Sequence, residues 1–478
     1  MSLIKTVQVT PRPVAQLEPV IGAERYENLI KAADRFRGEM SGRRVWNVSS
    51  TAVGGGVAEM LHALLGYVED LGIPSRWMVI TGDADFFVIT KRLHHQLHGD
   101  LSGGILTAAD AGRYARMLAA NAVELLGQIR PGDLVLLHDP QTAGLTEYLT
   151  HAGALVAWRS HIGVDWQNDA TEAAWSFLQP QVTSAKGFVF SRSEYVPPWM
   201  PDHKVAIIPP SIDPFSPKNE SLDETTVRGV LARIGVLDGA APREPTAFQC
   251  RDGSTGHVRR SAEITGDSRP APDDPLVVQV SRWDPLKDMA GVMHGFARFV
   301  APQCDGYLVL AGPAVAGVTD DPEGAAVFAD CLLQWRDLPA PVRNRILLVT
   351  LPLDDPDENA VMVNALQRHA SVIVQKSLAE GFGLTVAEGM WKSRPVVGSA
   401  VGGIIDQISP GTGILLPDPD DLEAYGSAVR QLLTDPGEAD RMGHAAKAHI
   451  NGNYVGDLHL LRYEKLFAAM VQDVGEGS

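Results

Sequence analysis

Two carboxylates, Glu380 and Glu388, stand eight positions apart in the stretch QKSLAEGFGLTVAEGMWKSRPVV, residues 375–397, with a Gly-Phe-Gly turn between them. Gly381 and Gly383, on either side of Phe382, let the backbone approach a ligand closely. A run of good helix formers follows, so a helix is expected to begin near Leu384. The free N–H groups of Leu384 and Thr385 then form a positive helix end that suits an anion such as phosphate. Glu388, about one turn into that helix, cannot hold phosphate, but it can accept hydrogen bonds from a ribose diol. Glu380, ahead of the turn, can accept from sugar hydroxyls. Read plainly, Glu388 is a surface helix residue and Glu380 a loop charge. The phosphate-favouring turn between them makes a sugar nucleotide the better account.

A second cluster is SRWDPLKD, residues 281–288, which places Arg282 and Lys287 five apart beyond an apolar run. A planar fork and a mobile point charge together suit a diphosphate. The competing account makes the two cations surface partners of Asp284 and Asp288. In the first half of the chain, STAVGGGVAEML puts Gly54, Gly55 and Gly56 just before an expected helix. It is neither a GxGxxG fingerprint nor a P-loop, since no GKS or GKT follows. Two further apolar runs end in polar clusters: His138, Asp139 and Gln141 in LLHDPQTAG, and Arg159, His161 and Asp165 in VAWRSHIGVD. Polar residues at successive strand ends suit a polyhydroxyl ligand. His94, His95 and His98 in KRLHHQLHG match no standard metal spacing, so no metal site is read there. Neither an HExxH motif nor a Ser-His-Asp signature is present, and no glycosidase-like carboxylate pair is singled out.

The elements that position these groups follow from the apolar pattern. Continuous apolar runs at 134–140, 154–158, 187–191, 205–211, 275–281, 307–313, 345–352, 371–377 and 394–400 read as strands covered on both faces. Helically spaced segments such as DMAGVMHGFARFV and ENAVMVNALQRHA separate them. Alternating strands and helices predict an α/β protein with doubly wound parallel sheets, whose ligands collect outside the carboxyl ends of the strands. A chain of 478 residues is expected to form two such domains with a cleft between them. The boundaries fall at 1–215 and 275–455, with 216–274 as a polar insert or linker. That segment opens with the expected helix LDETTVRGVLARIG and carries a possible hairpin tip in CRDGSTGHV.

Composition narrows the function classes. A hydrophobic content of 45% with 21% charged residues describes a soluble globular protein, and a formal charge of −17 argues against a nucleic-acid partner. The three cysteines, Cys250, Cys304 and Cys331, are far apart and odd in number, which points to a reducing compartment. The start, MSLIKTVQVTPRPV, lacks the apolar core of a signal peptide, and no run approaches the roughly 18 apolar residues of a membrane span. The expectation is a cytoplasmic protein with no membrane partner.

At this point the motifs resemble a known family. EGFGLTVAE is the E-x7-E motif of retaining GT-B glycosyltransferases of family 4, and SRWDPLKD is similar to that family's diphosphate clamp. STAVGGGVAEML, FFVITKRLHHQLHG, HDPQTAGL, PPSIDPFSPKN, DDPEG, ENAVMVNALQRHA and VQKSLAEGFGLTVAEGMWK together resemble trehalose glycosyltransferring synthases and the related trehalose phosphorylases. The resemblance implies two Rossmann-like domains and a last helix, 456–478, that crosses back to the first. It implies transfer of glucose from a nucleoside diphosphate glucose to glucose, with Arg282, Lys287, Glu380 and His161 in the catalytic centre. The donor would be held by Gly55, Gly56, Gly381, Phe382, Gly383, Leu384, Thr385 and Glu388, and the acceptor by Lys91, His138, Asp139 and Gln141. No cofactor and no essential metal are expected, and a homodimer is what the resemblance implies. The chain departs from its pattern at Thr142, where Pro is expected, at Ser160, where Cys is common, and at Gly163, where Asp is usual. The departures at 142 and 163 bear on the acceptor side. A phosphorylase, a transferase with another acceptor and a non-catalytic bilobed sugar-binding protein are the competing readings.

Overall fold

A computed structural model of the protein describes residues 3–40, 42–53, 55–239, 246–315 and 322–476. The chain divides into two units, Met1–Ser211 with Tyr454–Ser478, and Ile212–Asn453. Each unit is built on a seven-stranded sheet.

In the first unit the strands are β1 (Ile4–Val7), β2 (Val45–Ser49), β3 (Ser75–Ile80), β4 (Leu134–His138), β5 (Leu155–Ser160), β6 (Gly187–Phe190) and β7 (Val205–Ile207), in the order β1-β3-β2-β4-β5-β6-β7. Only β1 runs antiparallel, against β3. Both sheet faces are covered, as the apolar runs predict. Trp46, Val48, Val135, Leu137 and Trp158 join one buried cluster with residues of the helices Ala84–Leu97, Ala108–Leu126 and Asp169–Val182. Their alternates Val45, Leu136 and Ala157 pack with Phe36, Phe467 and Met470 on the opposite face. Phe467 and Met470 lie on the terminal helix Gly456–Glu476, which therefore belongs to the first unit's core. β2, β3 and the edge strand β1 were not among the predicted runs. Lys5, Thr6, Asn47, Ser49 and Arg76 interrupt their apolar character.

The second unit orders its strands β10-β13-β12-β11-β14-β15-β16. They span Glu263–Thr265 (β10), Leu276–Val280 (β11), Tyr307–Pro313 (β12), Ile346–Leu351 (β13), Val372–Gln375 (β14), Val396–Ser399 (β15) and Ile414–Leu416 (β16). β10 is the antiparallel edge and the rest are parallel.

The polar segment 216–274, read as an insert or linker, is built into this unit. Its helix Glu224–Ile234 ends at Gly235 in the left-handed conformation, with φ 86°. CRDGSTGHV closes the hairpin of β8 (Ala247–Gln249) and β9 (Thr255–His257). The buried Glu358 then accepts from the backbone N–H groups of Arg259 and Arg260 at 2.5 and 2.6 Å, and Asp357 accepts from that of Arg251 at 2.9 Å. A polar composition that looks loop-like is thus satisfied by carboxylates at one helix start. Among the described residues, no helix is long and apolar enough to cross a membrane.

Candidate active site

Among the parallel strands of each sheet the chain reverses its direction of growth once, between β2 and β4 in the first unit and between β11 and β14 in the second. In open α/β sheets this switch point is where ligands bind. The residues that leave the carboxyl ends of β11 and β14 are those of SRWDPLKD and KSLAEGFG, so the second switch point gathers Arg282, Lys287 and Glu380.

Asp284 caps a single 3₁₀ turn, Pro285–Lys287, by accepting from the Leu286 N–H at 2.9 Å. Gln279, on β11, donates to the Lys287 carbonyl at 2.7 Å. The Lys287 ammonium then donates to Glu380 Oε2 at 2.6 Å, and Ser377 Oγ donates to the same oxygen at 3.2 Å. The Lys287 and Glu380 side chains are only 14% and 12% exposed. The helix expected near Asp288 starts at Met289, because Asp288 is its cap, held at φ 47° with its carboxylate on the Gly291 N–H. Lys376, which is fully buried, donates to the Asp288 carboxylate and to the Pro419 carbonyl. Two ion pairs, Lys287–Glu380 and Lys376–Asp288, therefore stitch the exits of the two switch strands together. Arg282 stands apart from them. Its side chain is 64% exposed and paired with Asp284 at 2.8 Å, the surface partnership that competed with the clamp reading.

The Gly-Phe-Gly turn is pinned from beneath. Gln407 donates to the Phe382 carbonyl at 2.5 Å, and the Gly403 N–H to that of Gly381 at 3.3 Å. Gly383, at φ 82°, caps the helix Leu384–Trp391, so this position needs glycine. The Val386 N–H reaches the Gly383 carbonyl at 2.9 Å, whereas those of Leu384 and Thr385 have no intrahelical acceptor. Thr385 Oγ1 donates to Gln375 Oε1 at 2.9 Å. Glu388 is buried, not a surface helix residue, and lies 3.7 Å from the Lys218 ammonium. One turn on, the buried Lys392 donates to Asn219 Oδ1 at 3.0 Å and to the Glu388 carbonyl at 3.1 Å. Burial holds its pKa well below the usual lysine value, against the pull of Glu388.

The first switch point collects the polar ends of β2, β4 and β5. Gly55 and Gly56 open the helix Gly55–Asp70 beyond β2; Gly54 lies outside the described residues. Asp139 has φ 64°, fixed by the turn in which the Thr142 N–H and Oγ1 bond the Asp139 carbonyl, at 3.1 and 3.2 Å, and Oγ1 also bonds the His138 carbonyl at 2.8 Å. Thr142 thus makes with its hydroxyl a turn for which the family pattern has proline. Asp139 Oδ1 accepts from the His161 N–H at 2.8 Å. Burial raises the Asp139 carboxyl to about 6, although that N–H and the nearby Arg159 both favour its charge.

The ring of His161 lies edge to edge with that of His138, Nε2 to Nδ1, at 3.1 Å. Its Nδ1 accepts from Arg159 Nε at 3.2 Å, so both ring nitrogens are engaged inside the unit. Burial, then the Arg159 charge, lower the pKa of His138 to about 3 and that of His161 well below its usual value. The buried Gln141 Oε1 has no hydrogen-bond partner among the described residues. Gly163 lies under Tyr195, where an added Cβ would come within 2.2 Å of the ring, so the family's aspartate cannot be accommodated in this packing. Lys91 is exposed on the helix Ala84–Leu97 and takes part in none of these bonds. His94 and His95 follow on that helix and His98 caps its end, and among the described residues no group of three His, Cys, Asp or Glu is placed to hold a metal.

Sequence reasoning singled out neither Lys376, Lys218 and Lys392 nor Asn47, His459 and Tyr463. A lysine directly at the end of a buried run, as in VIVQKS, is the one signal that was available.

Residues 47–197 match the family model "Trehalose synthase, N-terminal domain", and residues 357–449 match "Glycosyl transferases group 1". The chain is 33% identical to a trehalose synthase of Pyrococcus horikoshii over 462 residues, covering 96% of this chain and 97% of that one. The chain belongs to the trehalose synthase family. A trehalose synthase of Rubrobacter xylanophilus is 31% identical over 98% of this chain and 100% of its own length. A solved UDP-forming α,α-trehalose-phosphate synthase from Burkholderia xenovorans, in complex with glucose-6-phosphate, superposes with a TM-score of 0.65 at 13% identity, covering 89% of this chain and 100% of that one. The fold of this trehalose synthase relative is therefore GT-B, and the protein is a glycosyltransferase concerned with trehalose.

Proposed function

We propose that the protein transfers glucose, with retention, from a nucleoside diphosphate glucose to free glucose and so makes α,α-trehalose. The observation that carries this reading is the second switch point, where a largely buried Lys287 pairs with Glu380, just ahead of the glycine-capped helix that carries the buried Glu388. An ammonium and two helix N–H groups without an intrahelical acceptor suit a diphosphate, and the two carboxylates suit hydroxyls on either side of it.

In this mechanism the bond from the glucose C1 to the diphosphate oxygen breaks as the acceptor hydroxyl attacks C1 from the same face. The departing phosphate oxygen takes the hydroxyl proton, so no separate base is required. Lys287, with Arg282 once it leaves Asp284, stabilises the charge that grows on the diphosphate. Such preorganised electrostatics are commonly the largest catalytic contribution. Glu380 accepts from the transferred sugar and Glu388 from the ribose. At the first switch point His138, Asp139 and Gln141 line the acceptor's side, and the unpartnered Gln141 Oε1 supports a hydroxyl ligand there. No metal has a step in this scheme.

The test is to incubate the protein with UDP-, ADP- and GDP-glucose plus glucose, follow the released nucleoside diphosphate, and identify the product's anomeric configuration by NMR. Release coupled to α,α-trehalose is expected. No release with any donor, together with glucose 1-phosphate formed from trehalose and phosphate, would make the protein a phosphorylase. Turnover in neither assay would leave a sugar-binding protein.

A further inference from the structure

We propose that Arg159, His459 and Tyr463 are positioning residues that fix His161 as the neutral imidazole with its proton on Nε2. The proposal rests on the reading of His161 as a donor-site residue and assigns work to the terminal helix, which carries His459 and Tyr463. The argument starts from Arg159, whose guanidinium is fully buried and can only donate. Its Nη2 donates to the Ile208 carbonyl at 3.0 Å. Its Nη1 meets the Tyr463 hydroxyl and lies 3.4 Å from His459 Nε2. With both amino groups anchored, the planar fork leaves Nε aimed at His161 Nδ1, 3.2 Å away.

The remaining hydrogen-bond directions follow by elimination. His161 Nδ1 accepts, so in the neutral ring the proton is on Nε2. That proton is donated to His138 Nδ1 at 3.1 Å, which puts the His138 proton on Nε2, facing Asn47 Oδ1 at 3.2 Å. The chain runs one way, Arg159 to His161 to His138 to Asn47. Without the arginine the reverse direction would satisfy the same groups equally well: the Asn47 amide turned about, and both imidazole protons moved to Nδ1. A fixed cation at one end selects between two otherwise balanced arrangements. The Asp139 carboxylate holds the backbone N–H of residue 161, so ring and backbone are clamped from opposite sides.

The experiment is long-range ¹H–¹⁵N NMR of the imidazoles in the full-length protein at pH 7.5, with steady-state kinetics of His459→Gln and Tyr463→Phe. In the wild type, His161 and His138 should both show Nε2–H. In each variant His161 should become a mixture of tautomers. The kcat of each variant should fall roughly ten- to a hundredfold, as expected when a donor-site residue is displaced by up to about 1 Å, while the donor KM stays within about twofold. Nδ1–H at His161 in the wild type overturns the proposal, whatever the enzyme's activity. Folded variants with wild-type tautomers and kcat also overturn it. If both variants fail to fold, the wild-type spectrum alone decides. If no donor is turned over, the proposed function fails while the tautomer result still stands or falls by itself.

Discussion

Replacing Glu380 by Gln separates two things that the Lys287–Glu380 pair does. With the pair 2.6 Å long and both side chains less than 15% exposed, its hydrogen bond is charge-assisted and poorly screened by solvent. Such a bond contributes about 1.5–3 kcal/mol. The glutamine variant should therefore unfold more easily by that amount, because it leaves a partly buried ammonium facing a neutral amide. The same ammonium becomes more available to a diphosphate, so the nucleoside diphosphate should bind with unchanged affinity or up to about tenfold more tightly, 1.4 kcal/mol being a factor of ten. Transfer should nonetheless slow, with kcat falling at least about a hundredfold, since an acceptor to the sugar that becomes cation-like in the transition state is weakened. Lys287→Met, by contrast, should weaken the nucleotide at least tenfold, about 1.4 kcal/mol or more. The assay is urea unfolding and calorimetric nucleotide binding for the wild type, each single variant and the double variant. A coupling energy below about 0.5 kcal/mol in unfolding would show that the pair does not hold the crevice together. Loss of nucleotide binding in Glu380→Gln would transfer the nucleotide-binding role to Glu380.

Glu388→Gln should raise the donor KM several-fold with kcat little changed, because its contact is remote from the reacting carbon; a selective loss of kcat in initial-rate measurements would contradict this. Gly163→Ala, whose new Cβ would lie 2.2 Å from the Tyr195 ring, should cost about 1–3 kcal/mol of stability in a denaturant titration, and a neutral result would remove the packing account of that position. The pH dependence has a definite sign. His138, His161 and His459 refuse protons that the unfolded chain takes up, so each lowers stability as pH falls from about 6.5 towards 5, while the raised Asp139 binds a proton in the folded state and opposes that loss below about 6. Asp139→Asn should therefore steepen the fall in unfolding free energy between pH 6.5 and 5 relative to the wild type, and parallel curves would refute the assignment. EDTA should leave transfer intact; loss of activity restored by a divalent ion would overturn the metal-free scheme.

Much of this arrangement can be read from the chain. β11, β12, β13, β14 and β15 are apolar runs broken only towards their carboxyl ends, at Gln279, Thr350, Gln375 and Ser399, because a parallel sheet covered on both faces tolerates little else. The residues that follow such a run stand at a crevice by topology alone, which is why Lys287, Glu380 and Asp139 could be placed at strand ends without a structure. β2 and β3 escaped because Asn47 and Arg76 interrupt them. Asn47 interrupts its strand for a reason no pattern exposes, namely to close a hydrogen-bonded chain on His138. Pairings across long separations are equally silent. Lys218 with Glu388, Lys376 with Asp288 and Arg159 with Tyr463 join residues that only the fold brings together. Arg282 shows the opposite limit, since spacing suggested a clamp while an aspartate two residues away already holds its side chain.

The membership of Tyr454–Ser478 in the first unit has a consequence for how the protein is made. Some 240 residues of the second unit are translated between β7 and the helix that completes the first unit's core and meets Arg159. At roughly 5–20 residues per second, ribosomes need on the order of 10–50 seconds to cross that interval. During this time one sheet face lacks Phe467 and Met470, and a buried guanidinium lacks Tyr463. The second unit, whose segment is continuous, can fold first, while the amino-terminal half waits with an open apolar face. Chaperone demand during synthesis should therefore centre on residues 1–211, and it should end when the last helix leaves the ribosome.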